Sequence, residues 1–329
     1  MNARDTALAP LIYFGKLPCR GDFVRGSQQP ALIHTLDHWL TQAMEQLAID
    51  PAWKGIFDAA QPTAFAFLGT RSTAGLAGHL LPSQDASGRR FPFLAATSFE
   101  VAEPLRLLAR APLALHAAWA TLERLTTGAR AATDYAAVQE AMARTEPPPP
   151  AAGAAPQAAY ADFLDLQTLA SAEALLAPPA ARCSLRQTLL ALGLLLQPVL
   201  AQGQVRLDKA LVLPLGHDPA VRLHLATLWL DLVTPFFKRG DFEVALFATR
   251  WAQRPTLVVG FNGASPATLH TVLTGRPTAT DSIVVTDAQW VEGYAEQDWG
   301  VRKLSTYLRE PQLSLRQAVA TFREVFLGE

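Results

Sequence analysis

Two cysteines stand in 329 residues. Cys19 and Cys183 lie far apart, and neither belongs to a CxxC pair or to a Cys/His cluster with zinc spacing. Disulfides and structural zinc are therefore not what holds the chain together. The pattern suits a reducing compartment, with Cys183 as a small core residue and Cys19 as a loop thiol. Charge is also scarce, at 17% of residues against about 25% in an average soluble protein. Lys plus Arg is 28 and Asp plus Glu is 29, a net charge of -1. Such a balance has no global field to hold a polyanion, and no local basic stripe replaces it, so nucleic acid is excluded as a partner. Long apolar runs are missing too. The greasiest stretch, Leu189 to Leu196, meets Gln197 and Pro198, whereas a spanning helix needs about 20 apolar residues. The opening Met1-Asn2-Ala3-Arg4-Asp5 is polar and leads into no apolar segment, so no signal peptide is expected. These absences predict a cytoplasmic protein without membrane insertion.

Familiar catalytic motifs are absent as well. No GxxxxGK[ST] loop, GxGxxG fingerprint or GxSxG elbow occurs. The nearest metal signal is His34-Thr35-Leu36-Asp37-His38. It places two histidines on one helical face, but the acid is one methylene shorter than the glutamate of the zinc motif and no third ligand follows. Two histidines on the wet edge of a helix explain it better, since such motifs match by chance. A metal-dependent hydrolase using His34 and His38 is kept as an alternative, although no metal or cofactor is expected. His79, Ser83 and Asp85 crowd into one loop, a poor triad, because triad groups come from separated segments. Asp22, Asp37, Asp58 and Asp85 are carboxylates that a fold can bring together, but sequence does not pair them. Arg20-Gly21-Asp22 spells an extracellular adhesion tripeptide, a coincidence in a chain without a secretory signal.

What the chain does have is apolar surface, since half its residues are hydrophobic. At roughly 150 residues per domain it makes one large domain or two ordinary ones. It can bury about 75% of the surface its unfolded form exposes. Strands are expected at 11–14, 63–68, 91–99, 205–215, 241–250, 256–261 and 282–285, several closed by glycine. The spacing of Leu32, Ile33, Leu36, Trp39, Leu40, Ala43, Met44 and Leu47 predicts an amphipathic helix, opened by Pro30 with Ser27 or Gln28 near its cap. Further helices are expected at 104–111, 112–127, 163–176, 184–200, 218–237, 265–275 and 314–327, and loops at 16–29 and 78–88. Residues 141–161 hold Pro147 to Pro150 among alanine, glycine and further proline, the signature of a semi-rigid linker. Strands alternating with helices favour a layered α/β sandwich.

Two loops carry unusual chemistry. The first is Gly15-Lys16-Leu17-Pro18-Cys19-Arg20-Gly21-Asp22-Phe23-Val24-Arg25; the second is Pro82-Ser83-Gln84-Asp85-Ala86-Ser87-Gly88-Arg89-Arg90-Phe91-Pro92-Phe93. Both combine glycines for unusual backbone angles, prolines for rigidity, an aspartate and arginines able to grip it. Asp22 and Asp85 are expected to lock their own turns, with Phe23, Phe91 and Phe93 as anchors. Exposed arginines beside anchored aromatics also suit a protein-docking surface.

At these loops the sequence resembles the type VI secretion-associated TagF (ImpM) family. The resemblance rests on Phe14-Gly15-Lys16-Leu17-Pro18-Cys19-Arg20-Gly21-Asp22-Phe23-Val24, on Asp37-His38-Trp39-Leu40, and on the block from Pro82 to Pro92. Three blocks in order over about the first 100 residues are more specific than any one short motif. The resemblance implies a three-layer α/β/α sandwich with a mixed central sheet. It also implies a cytoplasmic post-translational repressor of assembly that acts by binding a forkhead-associated scaffold protein. No catalytic residue is carried over, so no enzyme is expected; a structural component of the apparatus is the other alternative. The expected organisation is an N-terminal domain at 1–140, a linker at 141–161, an α/β region at 162–280 that completes the same sandwich or forms its own, and an extension at 281–329. The expected partner-binding residues are Lys16, Arg20, Asp22, Phe23, Arg25, Asp85, Arg89, Arg90 and Phe91.

Overall fold

Phe65 and Ala66 are neighbours in sequence and are buried in different clusters. That alternation, which follows from the two-residue period of a strand, makes the central sheet a partition between helical layers. The computed structural model describes residues 11–27, 29–151, 154–176, 183–202, 207–286 and 288–329. The polar opening of the chain, Gln28 as a cap, residues 152–153 of the expected linker, and Val205 and Arg206 of an expected strand lie outside the described residues.

The chain begins with β1 (Leu11–Gly15) and β2 (Val24–Gly26), then α1 (Pro30–Leu47) and α2 (Trp53–Ala59). Next come β3 (Thr63–Gly69), β4 (Ala74–Leu81) and β5 (Phe93–Glu100), followed by α3 (Pro104–Ala114), α4 (His116–Ala131) and α5 (Tyr135–Arg144). Three helices follow: α6 (Ala154–Leu166), α7 (Leu169–Leu176) and α8 (Leu185–Gln202). The second half of the sheet is β6 (Ala210–Pro214), β7 (Glu243–Trp251), β8 (Arg254–Gly260) and β9 (Ser282–Val284), interleaved with α9 (Pro219–Val233) and α10 (Pro266–Thr274). The chain closes with α11 (Val291–Gln297), α12 (Trp299–Tyr307) and α13 (Leu315–Leu327).

The nine strands among the described residues form one mixed sheet in the order β2-β1-β5-β4-β3-β7-β8-β6-β9. Neighbours are antiparallel except β6 and β9, which run parallel. On one face, Phe65, Leu94 and Phe247 pack beneath α1, α2 and α10. On the other, Ala66, Leu68, Val244 and Leu246 pack beneath α3, α8 and α9, while Tyr13, Phe93 and Ala95 pack beneath α4 and α5. The result is the expected α/β sandwich.

The two halves share the sheet through β3 and β7, paired from Ala64 with Ala248 to Gly69 with Glu243. Thr63 and Thr249 hydroxyls meet at 2.9 Å across that seam. Trp39 of α1 sits over it, against Phe65, Phe67 and Phe247, and its Nε1 donates to Ser265 O at 3.3 Å. Residues 281–329 are built into the core as well. Phe322 and Phe326 of α13 are buried, and Phe322 packs edge-on against Phe236. Asp231 of α9 is buried and accepts from Arg110 at 2.6 Å and Tyr160 at 3.1 Å, with Arg323 at 3.0 Å. One carboxylate thus ties α3, α6, α9 and α13, which is tolerable in the interior because both of its oxygens are partnered, by two arginines and a hydroxyl.

Several expectations are corrected. Gly78 to Leu81 belong to β4 rather than to a loop. Gly75 and Gly78 resemble strand breakers, yet each makes room for a ring from a neighbouring strand. A Cβ at Gly78 would lie 2.1 Å from Phe65 Cζ, and one at Gly75 would lie 2.4 Å from Phe99 Cε2. Pro112 falls inside α3, where the helix ends two residues later, so the second helix starts at His116 rather than at the proline. Alanine on both flanks extends helices into the expected linker, as α5 to Arg144 and α6 from Ala154. The proline run between is held at both ends: Pro147 is buried and Ala151 N donates to Ala114 O at 2.8 Å. Among the described residues no helix is long and apolar enough to cross a membrane.

Two outcomes follow from this packing. Trp39→Ala should lose about 3–5 kcal/mol in urea unfolding, the usual cost of emptying an aromatic core site; a loss under about 1 kcal/mol would contradict the seam. The second concerns His79, whose Nδ1 lies 2.6 Å from Thr126 Oγ1. Burial, with the Arg130 charge nearby, pulls its pKa from 6.5 down to about 4. The unfolded state therefore binds the proton first. Stability should fall by about 3 kcal/mol on this account as pH drops from 6.5 to 4. His79→Gln should flatten that part of the pH profile, and an unaltered slope would refute it.

Candidate functional site

At the end of β1, Gly15 has φ +132°, and a Cβ there would lie 2.0 Å from Pro92 O. Only glycine fits, and this brings the first loop against the second. The following Lys16 turns inward and is 7% exposed. Its Nζ lies 3.0 Å from Oδ2 of Asp85, which is 1% exposed. The same oxygen accepts from Arg89 Nε at 2.7 Å. Oδ1 accepts from Ser87 Oγ at 2.7 Å, and from the Ser87 and Arg89 backbone amides at 3.0 Å. Burial alone would push the Asp85 carboxyl up. The hydrogen bonds from Ser87, Lys16 and Arg89 overcome that and hold it well below the usual carboxylate range. Two further bonds lock the loops together: Arg89 Nη2 to Gly21 O at 2.6 Å and Ala86 N to Arg20 O at 2.8 Å.

On this base stands Phe23, 44% exposed. Its ring stacks on Phe14 at 5.5 Å and meets Phe91 edge-on at 4.9 Å. Lys16 Nζ lies 5.0 Å from the ring centroid, so the buried cation faces the ring's π-cloud. Asp22 is exposed and its Oδ1 accepts from Phe23 N at 2.8 Å, closing the turn. Arg20 lies over the ring of Tyr135 at 5.0 Å, and Tyr135 meets Tyr13 hydroxyl to hydroxyl at 3.4 Å. Arg25, on the edge strand β2, is exposed and has no carboxylate partner among the described residues.

The expected site residues thus divide. Lys16, Asp85 and Arg89 hold the turns, and Phe91 is a buried support. Arg90 is held elsewhere, bidentate on Asp58 of α2 with both bonds at 2.7 Å. Phe23, Arg20, Arg25 and Asp22 are exposed. The remaining acids stay apart in their bonding, with Asp37 accepting from Thr41 Oγ1 at 3.2 Å. His34 and His38 are exposed on α1. Among the described residues no group of three or more His, Cys, Asp or Glu is placed to hold a metal. Ser83 Oγ is buried without a hydrogen-bond partner, and His79 is bound to Thr126 instead, so these two do not form a catalytic pair with Asp85. Burial, then the Glu173 charge, pushes the Cys183 thiol up to about 11, which leaves no reactive thiolate at neutral pH.

Residues 12–145 match the family model of the TagF N-terminal domain, described as type VI secretion system-associated. This part of the chain is a TagF N-terminal domain. The match contains both loops, α4 and α5, and stops where the prolines begin. The protein is accordingly type VI secretion system-associated. No curated protein matches the chain. Among solved structures, the crystal structure of PA0076 from Pseudomonas aeruginosa PAO1 is 18% identical, covers 82% of this chain and 96% of that one, and superposes with a TM-score of 0.46.

Sequence reasoning missed three partners of the TagF loops. Asp58 was weighed only as a carboxylate, Tyr135 lay in an unassigned segment, and Arg130, whose Nη1 donates to Pro82 O at 3.3 Å, looked like an ordinary helical charge. The one available signal was Asp134 ahead of an apolar-periodic stretch; it caps α5 by accepting from Ala136 N at 3.2 Å.

The Asp85 geometry fixes a pH dependence. Its pKa is lower folded than unfolded, so the carboxylate contributes stability above the ordinary carboxylate pKa of about 3.9 and loses it as pH falls further. Asp85→Asn should melt below the wild type at pH 7, and the gap should close towards pH 2. A gap that persists unchanged in acid would show that the charge is not what holds the turn.

Proposed function

We propose that the protein is a cytoplasmic, non-enzymatic accessory protein of the type VI secretion system. In this reading it represses assembly post-translationally by binding a forkhead-associated scaffold protein. The observation that carries the reading is the exposure of Phe23, Arg20 and Arg25 beside turns rigidified by Asp85. Aromatic and arginine side chains are those enriched at interface hot spots, and a half-exposed ring on a pre-ordered turn binds with little ordering cost. Repression then follows from mass action, since repressor above its dissociation constant depletes free scaffold.

The clean test avoids Lys16, Asp85 and Arg89, because changing them damages the turns themselves. Phe23→Ala with Arg25→Glu leaves the Asp85 bonds in place. The double variant should melt near the wild type and bind purified scaffold about 30-fold more weakly, the loss of one hot-spot contact of about 2 kcal/mol. Wild-type affinity in the folded double variant would remove this face from the account.

A further inference from the structure

Between α3 and α6 lies a cavity of about 290 Å³, lined by Arg106, Ala109 and Arg110 of α3 and by Gln157 of α6. Arginines supply half of that lining, in contrast to the apolar core beside it. Its volume stands at the small end of ligand pockets, which begin near about 300 Å³. Helix α3 lies within the TagF N-terminal domain and α6 follows it, so an occupant would touch both parts of the chain.

Arg110 is held in place before any ligand arrives. Its Nη1 donates to the buried Asp231 at 2.6 Å and to Ala109 O at 3.2 Å, and its guanidinium lies 4.5 Å from the centroid of the Tyr160 ring. Those hydrogen bonds use one nitrogen. The other edge, Nε with Nη2, makes no hydrogen bond among the described residues. That edge is the one able to take two oxygens of a carboxylate or phosphate in parallel, as Arg90 does on Asp58 in the same molecule. Arg106 is oriented alongside. With the Gln157 amide oxygen turned towards it, its Nε and Nη2 donate to that oxygen at 3.2 and 2.6 Å, while Nη1 reaches Glu103 at 3.2 Å.

The charges here do not balance. Asp231 is shared between Arg110 and Arg323. The other acid bonded to the lining, among the described residues, is Glu103, the exposed partner of Arg106. Three guanidiniums thus meet two carboxylates. The acids further along α6 are turned to another cation: Asp165 is ion-paired with Arg316 of α13, and the charge of Asp162 acts on the same guanidinium. Arg323 also keeps a buried Nε without a hydrogen-bond partner. An excess cation held partly out of water is costly until an anion joins it.

We infer that the α3–α6 cavity binds a small oxyanion, a phosphate or carboxylate group, on the free Nε–Nη2 edge of Arg110. Arg106 is the second cation, exchanging its contact with Glu103 for the ligand, since an exposed pair of that kind holds little. The site does not rest on the partner-binding reading above and stands or falls without it.

The test follows thermal melting of the full chain in millimolar inorganic phosphate and, separately, in succinate, each against sodium chloride at matched ionic strength. A ligand of the native state raises the melting temperature as its concentration rises. At least one of the two oxyanions should do so where chloride does not, and the one that acts identifies the head group. Arg106→Gln, at an exposed position, should melt as the wild type without ligand and bind about tenfold more weakly, the loss of one charge-assisted contact. Arg110→Lys keeps a cation on Asp231 but lacks the side-on edge, and should abolish the response. If Arg110→Lys fails to fold, Arg106→Gln decides alone. No response beyond that to chloride in the wild type overturns the site. An equal response in the wild type and the folded variants marks general salting or an adventitious ion only, and overturns it as well.

Discussion

A single carboxylate, that of Asp85, carries the arrangement at the front of the molecule. Taking a charge out of water costs several kcal/mol unless bonded partners replace the solvent. Here two side-chain cations, a hydroxyl and two backbone amides do so. Because these donors come from both loops, the aspartate can be satisfied only when the loops are together. Lys16, drawn inward by that charge, becomes the floor under Phe23. The exposed ring is therefore the far end of a chain of contacts that begins at a buried ion pair.

The sheet imposes the second constraint. The TagF N-terminal domain match ends at residue 145, but the strands it contributes are paired with β7 and through it with the rest of the chain. The two segments cannot move apart without breaking that ladder and exposing Phe65 and Phe247. The proline run crosses one helical layer as a pinned strap, and whatever binds the front face meets a rigid body. Further exposed aromatics lie far along the chain, at Trp290, Tyr294, Trp299 and Tyr307. They are the competing surface for any partner.

Much of this was legible before any coordinates. Strand and helix periods located the sheet and α1, and the two loops declared themselves by glycine, proline and paired charges. What was not legible depends on distant residues. Gly78 reads as the start of a loop until the ring of Phe65 is seen to fill its place. The arginines read as equivalent, although Arg90 belongs to Asp58 and Arg89 to Asp85, while Arg20 and Arg25 have no acid among the described residues.

Hydrogen exchange on the full chain, alone and saturated with the purified forkhead-associated scaffold, addresses the docking face directly. Slowed exchange should concentrate in residues 16–26, with 288–310 unchanged. Protection confined to 288–310, with residues 16–26 exchanging as in the free chain, would contradict the account.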